Sequence, residues 1–495
     1  NFVNMSIGTS VQRLREIGMR KTLGAAKTQL FFQFWGESLT VFLFSVALGC
    51  LLSNFLLESF KTLFRIQASF AEVVTPTVLI GFVLTVLVIT LLAGGYPALL
   101  LSKLGTLQSL KGKIDTSGRH RLRNTLIVIQ FAIAVLLISS TLVFRSQLRF
   151  LQDKDLGFNK EQVIAFPLNG KKDGRLAMQL LRNELQEKPG ILGVSASDNI
   201  LGLGKDGSSY GSVLTFEHKG RTVATNMLVV DYDYPETLDM KLAAGRSFKR
   251  RYGTDSLTVL VNEAMAKELG DADPLTGYIL FDDSVRHNVI GVVKDYHFQG
   301  FDKKIEPITF FLKNDWELRN AYVKVLPQNL AQSMELVKAA WKRVEPGAEF
   351  LGSFLDENIE RTLRQEKVLT SIITSGAVIA IVLSCVGLFA ISLLVVAQRT
   401  KEIGIRKVVG ASAAAITILL SKDFLKLVAI ALVIALPFSW LLVSKWLQGY
   451  AYRVPLTPWF FVIASVLAIV IAFVTISAQT IRAALASPVK SLRTE

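Results

Sequence analysis

Cysteine is nearly absent from this sequence, and its scarcity excludes a good deal. Only Cys50 and Cys385 occur among 495 residues. Both fall inside long apolar runs, so neither a disulfide framework nor a thiolate metal site is expected, and a packing role fits them. Histidine is almost as scarce: His120, His218, His287 and His297 have no metal-ligand spacing. The chain has 13 prolines and no low-complexity tract, which argues against long disorder. A phosphate-cradling loop is lacking too. The nearest stretch, Gly202-Leu203-Gly204-Lys205-Asp206-Gly207, has the wrong spacing and reads as an ordinary loop. No ATPase is expected in this chain.

Charge is also thin, at 19% of residues, against 51% hydrophobic and a mean hydropathy of +0.41. The apolar residues gather into six runs, at roughly 35–57, 77–101, 124–146, 368–397, 424–444 and 458–480. Runs of about 18 or more read as membrane spans. The net charge of +15 is concentrated in four short stretches, 8–28, 102–124, 398–411 and 482–495. These hold 5, 6, 4 and 3 Lys/Arg against Glu16, Asp115, Glu402 and Glu495. Basicity placed this way is a positive-inside signal, so these stretches and the C-terminus are expected in the cytoplasm. Attraction to anionic lipid follows, and nucleic acid is not an expected partner.

That orientation puts 58–76, 147–367 and 445–457 outside, the middle one long enough to bury its own core. It reads as mixed α/β, with strands at Val163–Pro167, Leu228–Val230, Thr258–Val261 and Val289–Val293. Helices are expected at Leu176–Glu187, Asn262–Leu269 and Leu330–Val344. Phe144–Asp153 should continue a span outward. In Leu355–Lys367 the residues Leu355, Ile359 and Leu363 recur every four, which suggests a helical stalk with Asp356, Glu357 and Glu360 on solvated faces. Asp295-Tyr296-His297 reads as a turn or strand end rather than an acid/base pair. A membrane-anchored enzyme would need a catalytic constellation that this region does not offer.

What the chain does have is a phrase written twice. Residues 13–25 and 399–411 agree at 8 of 13 positions with an offset of 386. Glu37 and Asp423 then coincide at the same offset, each near the start of a span. Thr75-Pro76 meets Thr457-Pro458 at an offset of 382, as Ser109-Leu110-Lys111 meets Ser491-Leu492-Arg493. Each copy therefore reads charged helix, span, outer loop with proline, span, basic tail, which indicates a tandem duplication. On a helix Arg13, Glu16 and Arg20 form one charged stripe, repeated by Arg399, Glu402 and Arg406. Each Glu precedes an Arg by four residues, the favourable orientation for an intrahelical pair. Ile17, Met19 and Leu23, with Ile403, Ile405 and Val409, are expected to touch the membrane surface. Gly24 and Gly410 suit a turn into the next helix. An interfacial helix that merely anchors the chain needs basic charge but no fixed Glu, so retention of the whole stripe argues for more than anchoring.

The segments REIGMRKTLGA and KEIGIRKVVGA resemble the signature of FtsX-like permeases of ABC transporters, in the MacB type. Gly94-Gly95-Tyr96-Pro97-Ala98, the tail Ser487–Arg493, Asp231–Phe248, Val289–Phe298 and Leu355–Lys367 resemble the same family, so the likeness covers nearly the whole chain. Thr106 stands where the second copy has Pro488, and Pro437 has no partner in the first copy, so the two copies are not strictly equivalent.

The resemblance implies a polytopic α-helical membrane protein with an inserted mixed α/β extracytoplasmic domain, lying in a bacterial inner membrane. The first FtsX-like repeat would occupy 1–111, with spans at about 35–57 and 77–101. A basic cytoplasmic linker follows at 112–123 and a helix leading to the stalk at 124–148. The MacB-like domain would occupy 149–365, and the second repeat 366–495. Residues Asn1–Ile7 look like the last turns of a span, so an N-terminal span of the first repeat is expected to precede the sequence. The resemblance also makes the repeated segment a coupling contact for a separate cytoplasmic ABC ATPase subunit, with ATP and Mg held there and no cofactor in this chain. The residues so assigned are Arg13, Arg15, Glu16, Gly18, Arg20, Lys21 and Gly24, with Arg399, Lys401, Glu402, Gly404, Arg406, Lys407 and Gly410. Glu37 and Asp423 form the acidic pair at the inner boundary. Efflux of a peptide, antibiotic or lipid-linked substrate by mechanotransmission is the expected activity, with an adaptor, an outer-membrane duct and a dimer or pseudo-dimer as further partners. The alternative is a regulator of an extracytoplasmic enzyme such as a wall hydrolase.

Overall fold

The computed structural model describes residues 14–64, 75–103, 117–281, 285–301 and 303–485. The expectations at Asn1–Ile7, Arg13, Thr106, Ser109–Lys111 and Ser487–Arg493 lie outside the described residues. The chain divides into two compact units. One is Ser146–Lys367 together with Lys445–Pro455; the other holds the remaining segments.

The N-terminal helices are α1 (Leu14–Thr22), α2 (Lys27–Phe64), α3 (Pro76–Lys103) and α4 (Ser117–Asp153). The inserted region carries α5 (Gly174–Leu185), the single turn α6 (Tyr234–Thr237), α7 (Glu263–Leu269), α8 (Leu330–Val344) and α9 (Leu355–Thr362). The chain ends through α10 (Arg364–Gln398), α11 (Thr400–Val408), α12 (Ala413–Leu447) and α13 (Trp459–Leu485). Among the described residues, five helical stretches are long and apolar enough to cross a membrane: Lys27–Thr62, Arg123–Asp153, Arg364–Leu393, Ala414–Leu447 and Trp459–Ile481, with mean hydropathies from 2.1 to 2.8. In α3 the apolar stretch is Pro76–Leu91.

In the membrane unit, α4, α10, α12 and α13 share one core. Ile127 and Phe131 meet Leu388 and Ile391, Phe424 and Val428, and Ala472 and Ile476. Next to it Val135, Ala435 and Ala468 form a layer of smaller residues that lets three helices approach. Some hydroxyls inside these helices bond within their own helix, as a bilayer favours: Ser139 donates to the Val135 carbonyl at 2.8 Å and Ser384 to that of Ala380 at 2.7 Å. Gln130 Nε2 reaches across from α4 to the Leu383 carbonyl of α10 at 2.9 Å. Helices α2 and α3 pack as a pair where Gly94 faces Ser38. A Cβ on Gly94 would come within 2.7 Å of the Ser38 Cβ, so the close approach requires glycine there.

Among its described residues the inserted domain contains two sheets. The smaller has the order β11 (Ser353–Phe354), β1 (Val163–Pro167), β10 (Asn320–Val325), β2 (Ile191–Ser197), all antiparallel. The larger runs β3 (Val213–His218), β4 (Arg221–Val229), β9 (Ile308–Phe311), β6 (Thr258–Asn262), β8 (Val285–Val293), β5 (Leu242–Gly245), with β7 (Tyr278–Phe281) also bonded to β8. It is mixed: β4 runs parallel to β9 and β6 parallel to β8. A bridge between Ser197 and Val230 links the two sheets.

Strands β1 and β6 are buried along both faces, which explains why they read as continuous apolar runs. Alternate residues go to different cores. Ile164 and Phe166 of β1, Met227 and Val229 of β4, and Val259 and Val261 of β6 enter one core with α5 and α8. Val163, Ala165, Leu228 and Leu260 enter the other. Helix α5 is capped by Asp173, whose carboxylate accepts from the Arg175 and Leu176 amides, and buries Ala177, Met178, Leu181 and Leu185. Helix α8 buries Val337, Ala340, Trp341 and Val344, with Trp341 edge-on to Phe166 at 5.4 Å.

The second core lies where the chain enters and leaves this unit. It takes Leu151 at the end of α4 and Leu156 just after it, Leu355 of α9, and Leu363 before α10, with Ile359 and Tyr450 packed against it. The four-residue spacing of Leu355, Ile359 and Leu363, read from the sequence as a helical stalk, is thus the inner face of a helix docked on this core. Neighbouring Asn358 is fully buried and accepts from Ser353 Oγ at 2.7 Å and from the Arg361 guanidinium.

Candidate functional site

The two copies of the repeated phrase build the same local object. Helix α1 ends with the Gly24 amide bonded to the Lys21 carbonyl at 3.2 Å and the Ala25 amide to that of Arg20 at 3.0 Å. Helix α11 ends identically, Gly410 to Lys407 at 3.1 Å and Ala411 to Arg406 at 2.9 Å. This is the Schellman arrangement, which needs a left-handed residue at its turn. Gly24 has φ +93° and Gly410 φ +96°, and a Cβ on either would meet no atom within 4 Å. Conformation therefore selects glycine here, and crowding does not. Replacing Gly410 with Ala should cost about 1–2 kcal/mol locally. We expect the Ala411 amide to exchange hydrogen roughly ten-fold faster in that variant, as read by exchange mass spectrometry.

After the turn each copy caps the next helix with one half of a capping box. At α2 the Gln29 side chain accepts from the Ala26 amide at 3.1 Å. At α12 the Ser412 hydroxyl accepts from the Ala415 amide at 3.1 Å.

The charges follow the same plan. Arg20 pairs with Glu16 at 2.7 Å and Arg406 with Glu402 at 2.7 Å, all four side chains between 42% and 46% exposed. Pairs so exposed contribute little to stability, and their consequence is orientation. The acid at the start of each long helix is then tied to the short helix by two different routes. Arg399 contacts Asp423 directly at 3.5 Å. In the first copy Arg20 donates to Gln33 at 2.6 Å, and Gln33 to Glu37 at 3.5 Å.

Helix α1 also carries Arg15, Gly18 and Lys21, and α11 carries Lys401, Gly404 and Lys407. Gly404 is buried. Ile403 is buried as well, against Ile416 and Leu420. The sequence placed Ile403 on the membrane surface; the short helix instead turns that side toward its own bundle and leaves Ile405, Val408 and Val409 exposed.

In the inserted domain the histidines are scattered, and no group of three or more His, Cys, Asp or Glu able to hold a metal occurs among the described residues. Asp295 and His297 take different partners. Asp295 accepts from the Ala264 amide at 2.9 Å and from Asn262 Nδ2 at 2.8 Å, anchoring the start of α7, and burial pushes its carboxyl up. His297 packs edge-on to Tyr452 at 4.6 Å and near Phe301 at 5.2 Å. Burial, then the Lys154 charge, push its pKa down to about 4.

An unfolded histidine titrates near 6.5. The unfolded chain therefore takes up a proton that folded His297 refuses, and the domain loses stability as pH falls from about 6.5 toward 4. The loss at the acid end is about 3 kcal/mol. Thermal unfolding of the chain at pH 7 and pH 4.5 should show a smaller acid shift in His297→Gln than in the parent.

Sequence reasoning missed the role of Lys445–Pro455, which it treated as a short loop. Gln147 Nε2 donates to the Tyr452 carbonyl at 2.9 Å and Gln147 Oε1 accepts from the Val454 amide at 2.8 Å. Lys154 lies over the Tyr452 ring at 4.3 Å. The two tyrosines, Tyr450 and Tyr452, in an otherwise short connection were the available signal. It also missed Arg246, which holds fully buried Asp255 through two bonds of 2.6 and 3.0 Å.

A chain of long apolar helices with a folded α/β insertion is a polytopic membrane protein with an extracytoplasmic domain. Residues 1–106 and 374–488 match the family model described as the FtsX-like permease C-terminal region. The macrolide export ATP-binding/permease protein MacB of Chromobacterium violaceum is 28% identical over 200 residues, which are 38% of this chain and 31% of that protein. MacB 2 of Aeromonas hydrophila subsp. hydrophila is 25% identical over 209 residues, again 31% of its length. The matched region thus spans under a third of these relatives, and it is their permease part. The periplasmic region of MacB from Actinobacillus actinomycetemcomitans aligns over 43% of this chain and 97% of that structure, at 15% identity and a TM-score of 0.31. The membrane helices on either side of the inserted domain thus match the FtsX-like permease family, and the chain is a multi-pass membrane protein similar to the permease part of MacB.

Proposed function

We propose that this chain is the transmembrane subunit of an ABC transporter. A separate cytoplasmic ATPase, carrying ATP and Mg, docks on α1 and α11 and drives motion of the extracytoplasmic domain. The observation that carries this reading is the duplicated foot: two short helices, each with an exposed Glu–Arg pair, closed by the same glycine turn and tied to the acid of the following span. A duplicated contact suits a partner that presents two like surfaces. Basic stretches around the feet support a cytoplasmic side for them and for the C-terminus.

The apolar cores of spans 77–101, 124–146 and 368–397 carry no charged residue, which favours transmitted motion over a polar conduit. The cargo would then be a peptide, antibiotic or lipid-linked molecule expelled from the outer side, with an adaptor and an exit duct completing the path. Reconstitution with the ATPase tests this. Stimulation of ATP hydrolysis by cargo supports transport, whereas stimulation only by an extracytoplasmic protein partner makes the chain a regulator. Hydrolysis indifferent to the presence of this chain overturns both.

A further inference from the structure

The extracytoplasmic unit contains a pocket of about 460 Å³, bounded by Ser209–Gly211, the turn from His297 to Phe301, Lys303, and Ile359 and Thr362 of α9. That volume falls within the range of about 300–1,000 Å³ found for small-molecule sites. All of its lining belongs to one compact unit.

Its walls are aromatic. Tyr210 and Phe298 stand edge to face at 5.1 Å, fixed by the Tyr210 hydroxyl donating to the Met227 carbonyl at 2.8 Å. Phe301 and His297 form the adjoining side, the imidazole pinned by Tyr452. Burial keeps that imidazole neutral, so it can donate or accept one hydrogen bond. Gln299 is held by its amide on Asn226 Oδ1 at 3.1 Å.

A single charge lies in the described lining. Lys303 is the charged side chain among the described lining residues. The neighbouring carboxylates lie outside the lining, each on its own donor: Asp198 accepts from the Val229 amide at 2.9 Å, Glu306 from Asn226 Nδ2 at 3.1 Å, and Asp155 from the Gly157 amide at 2.9 Å. A lysine in the same lining as aromatic walls suits an anionic head on a flat apolar body.

We propose that this pocket binds a small aromatic organic anion, its ring among Tyr210, Phe298 and Phe301 and its carboxylate or phosphate on Lys303. The inference concerns binding alone and holds whether or not the chain transports anything.

The test is fluorine NMR of the full chain in lipid nanodiscs at pH 7, titrated with 4-(trifluoromethyl)benzoate. The matching benzyl alcohol and benzylamine serve as neutral and cationic comparisons. Saturable binding of the benzoate is expected, with both comparisons about ten-fold weaker. Lys303→Gln should weaken the benzoate about ten-fold and leave the alcohol unchanged. Gly211→Phe should abolish saturable binding of all three at an unchanged melting temperature, since a Cβ on Gly211 meets no atom within 4 Å. Uptake that never saturates is partition into lipid only and overturns the proposal. So does equal binding of the three compounds, or benzoate binding that survives Gly211→Phe.

Discussion

Glu402→Lys is expected to weaken association with the ATPase at least thirty-fold while membrane insertion and melting temperature stay unchanged. The two halves of that expectation rest on different physics. Glu402 and Arg406 are about half exposed, and an exposed i, i+4 pair contributes only a few tenths of a kcal/mol to its helix. Folding should hardly register the change. A charge reversed inside an interface costs about 2–5 kcal/mol, because the partner's group is left facing a like charge. The double variant Glu402→Arg/Arg406→Glu separates the two. It restores the intrahelical pair with the charges exchanged, so it should remain uncoupled if the stripe faces a partner. Recovery of association would show that only the internal pair mattered. Glu16→Lys probes the first foot in the same way. Co-purification and ATPase activity are the readouts, and wild-type values for both single variants would remove the coupling role.

Asp255→Ala should lower the melting temperature of the extracytoplasmic unit by roughly 10 °C. Asp255 has no exposed surface and accepts three hydrogen bonds: two from Arg246 and one from the Lys249 amide at 2.9 Å. Removing the acid strands the arginine and the amide together. Breaking a buried pair by removing one partner costs about 3–5 kcal/mol. The lower figure applies here, because Arg246 is 38% exposed and recovers part of its hydration. Arg246 also stacks on Tyr252 at 4.1 Å, so the turn after β5 depends on one guanidinium held from two sides. Asp255→Asn keeps one acceptor and should fall between the parent and Ala. A shift below about 2 °C for Asp255→Ala would mean that the turn is held mainly by Tyr252.

Some of this was legible in the sequence, and the reasons differ by element. The long helices announce themselves because lipid accepts only long apolar stretches with internally bonded backbones. Leu330–Val344 was legible to the residue, since its buried face falls at helical spacing. Strands β1 and β6 were legible from their apolar runs. Strands β3, β7, β9 and β10 were not. Their register depends on partners far along the chain, as Asn226 of β4 opposite Ile308 of β9 shows. The repeated foot was found by self-similarity, and its stripe and glycine could be placed on a helix from spacing alone. The routes that tie it down, Arg399 to Asp423 and Arg20 through Gln33, could not. They use residues 13 to 24 positions apart that only the turn at the glycine brings together. Ile403 misled because a short amphipathic helix has two apolar directions, lipid and bundle, and periodicity does not distinguish them.

The incorporation of Lys445–Pro455 into the extracytoplasmic unit bears on how portable that unit is. Its gene is written in two places, separated by the second repeat's foot and two long helices. A fragment covering only residues 146–367 would leave Gln147 without Tyr452 and Val454, and would strip the Tyr452 ring from His297. Soluble versions need the eleven residues supplied in trans or spliced in. Exchange of extracytoplasmic units between related permeases, in the laboratory or by recombination, faces the same demand. A graft joined at the two obvious borders inherits a foreign tyrosine loop, and compatibility at Gln147, Lys154 and His297 decides whether the hybrid folds.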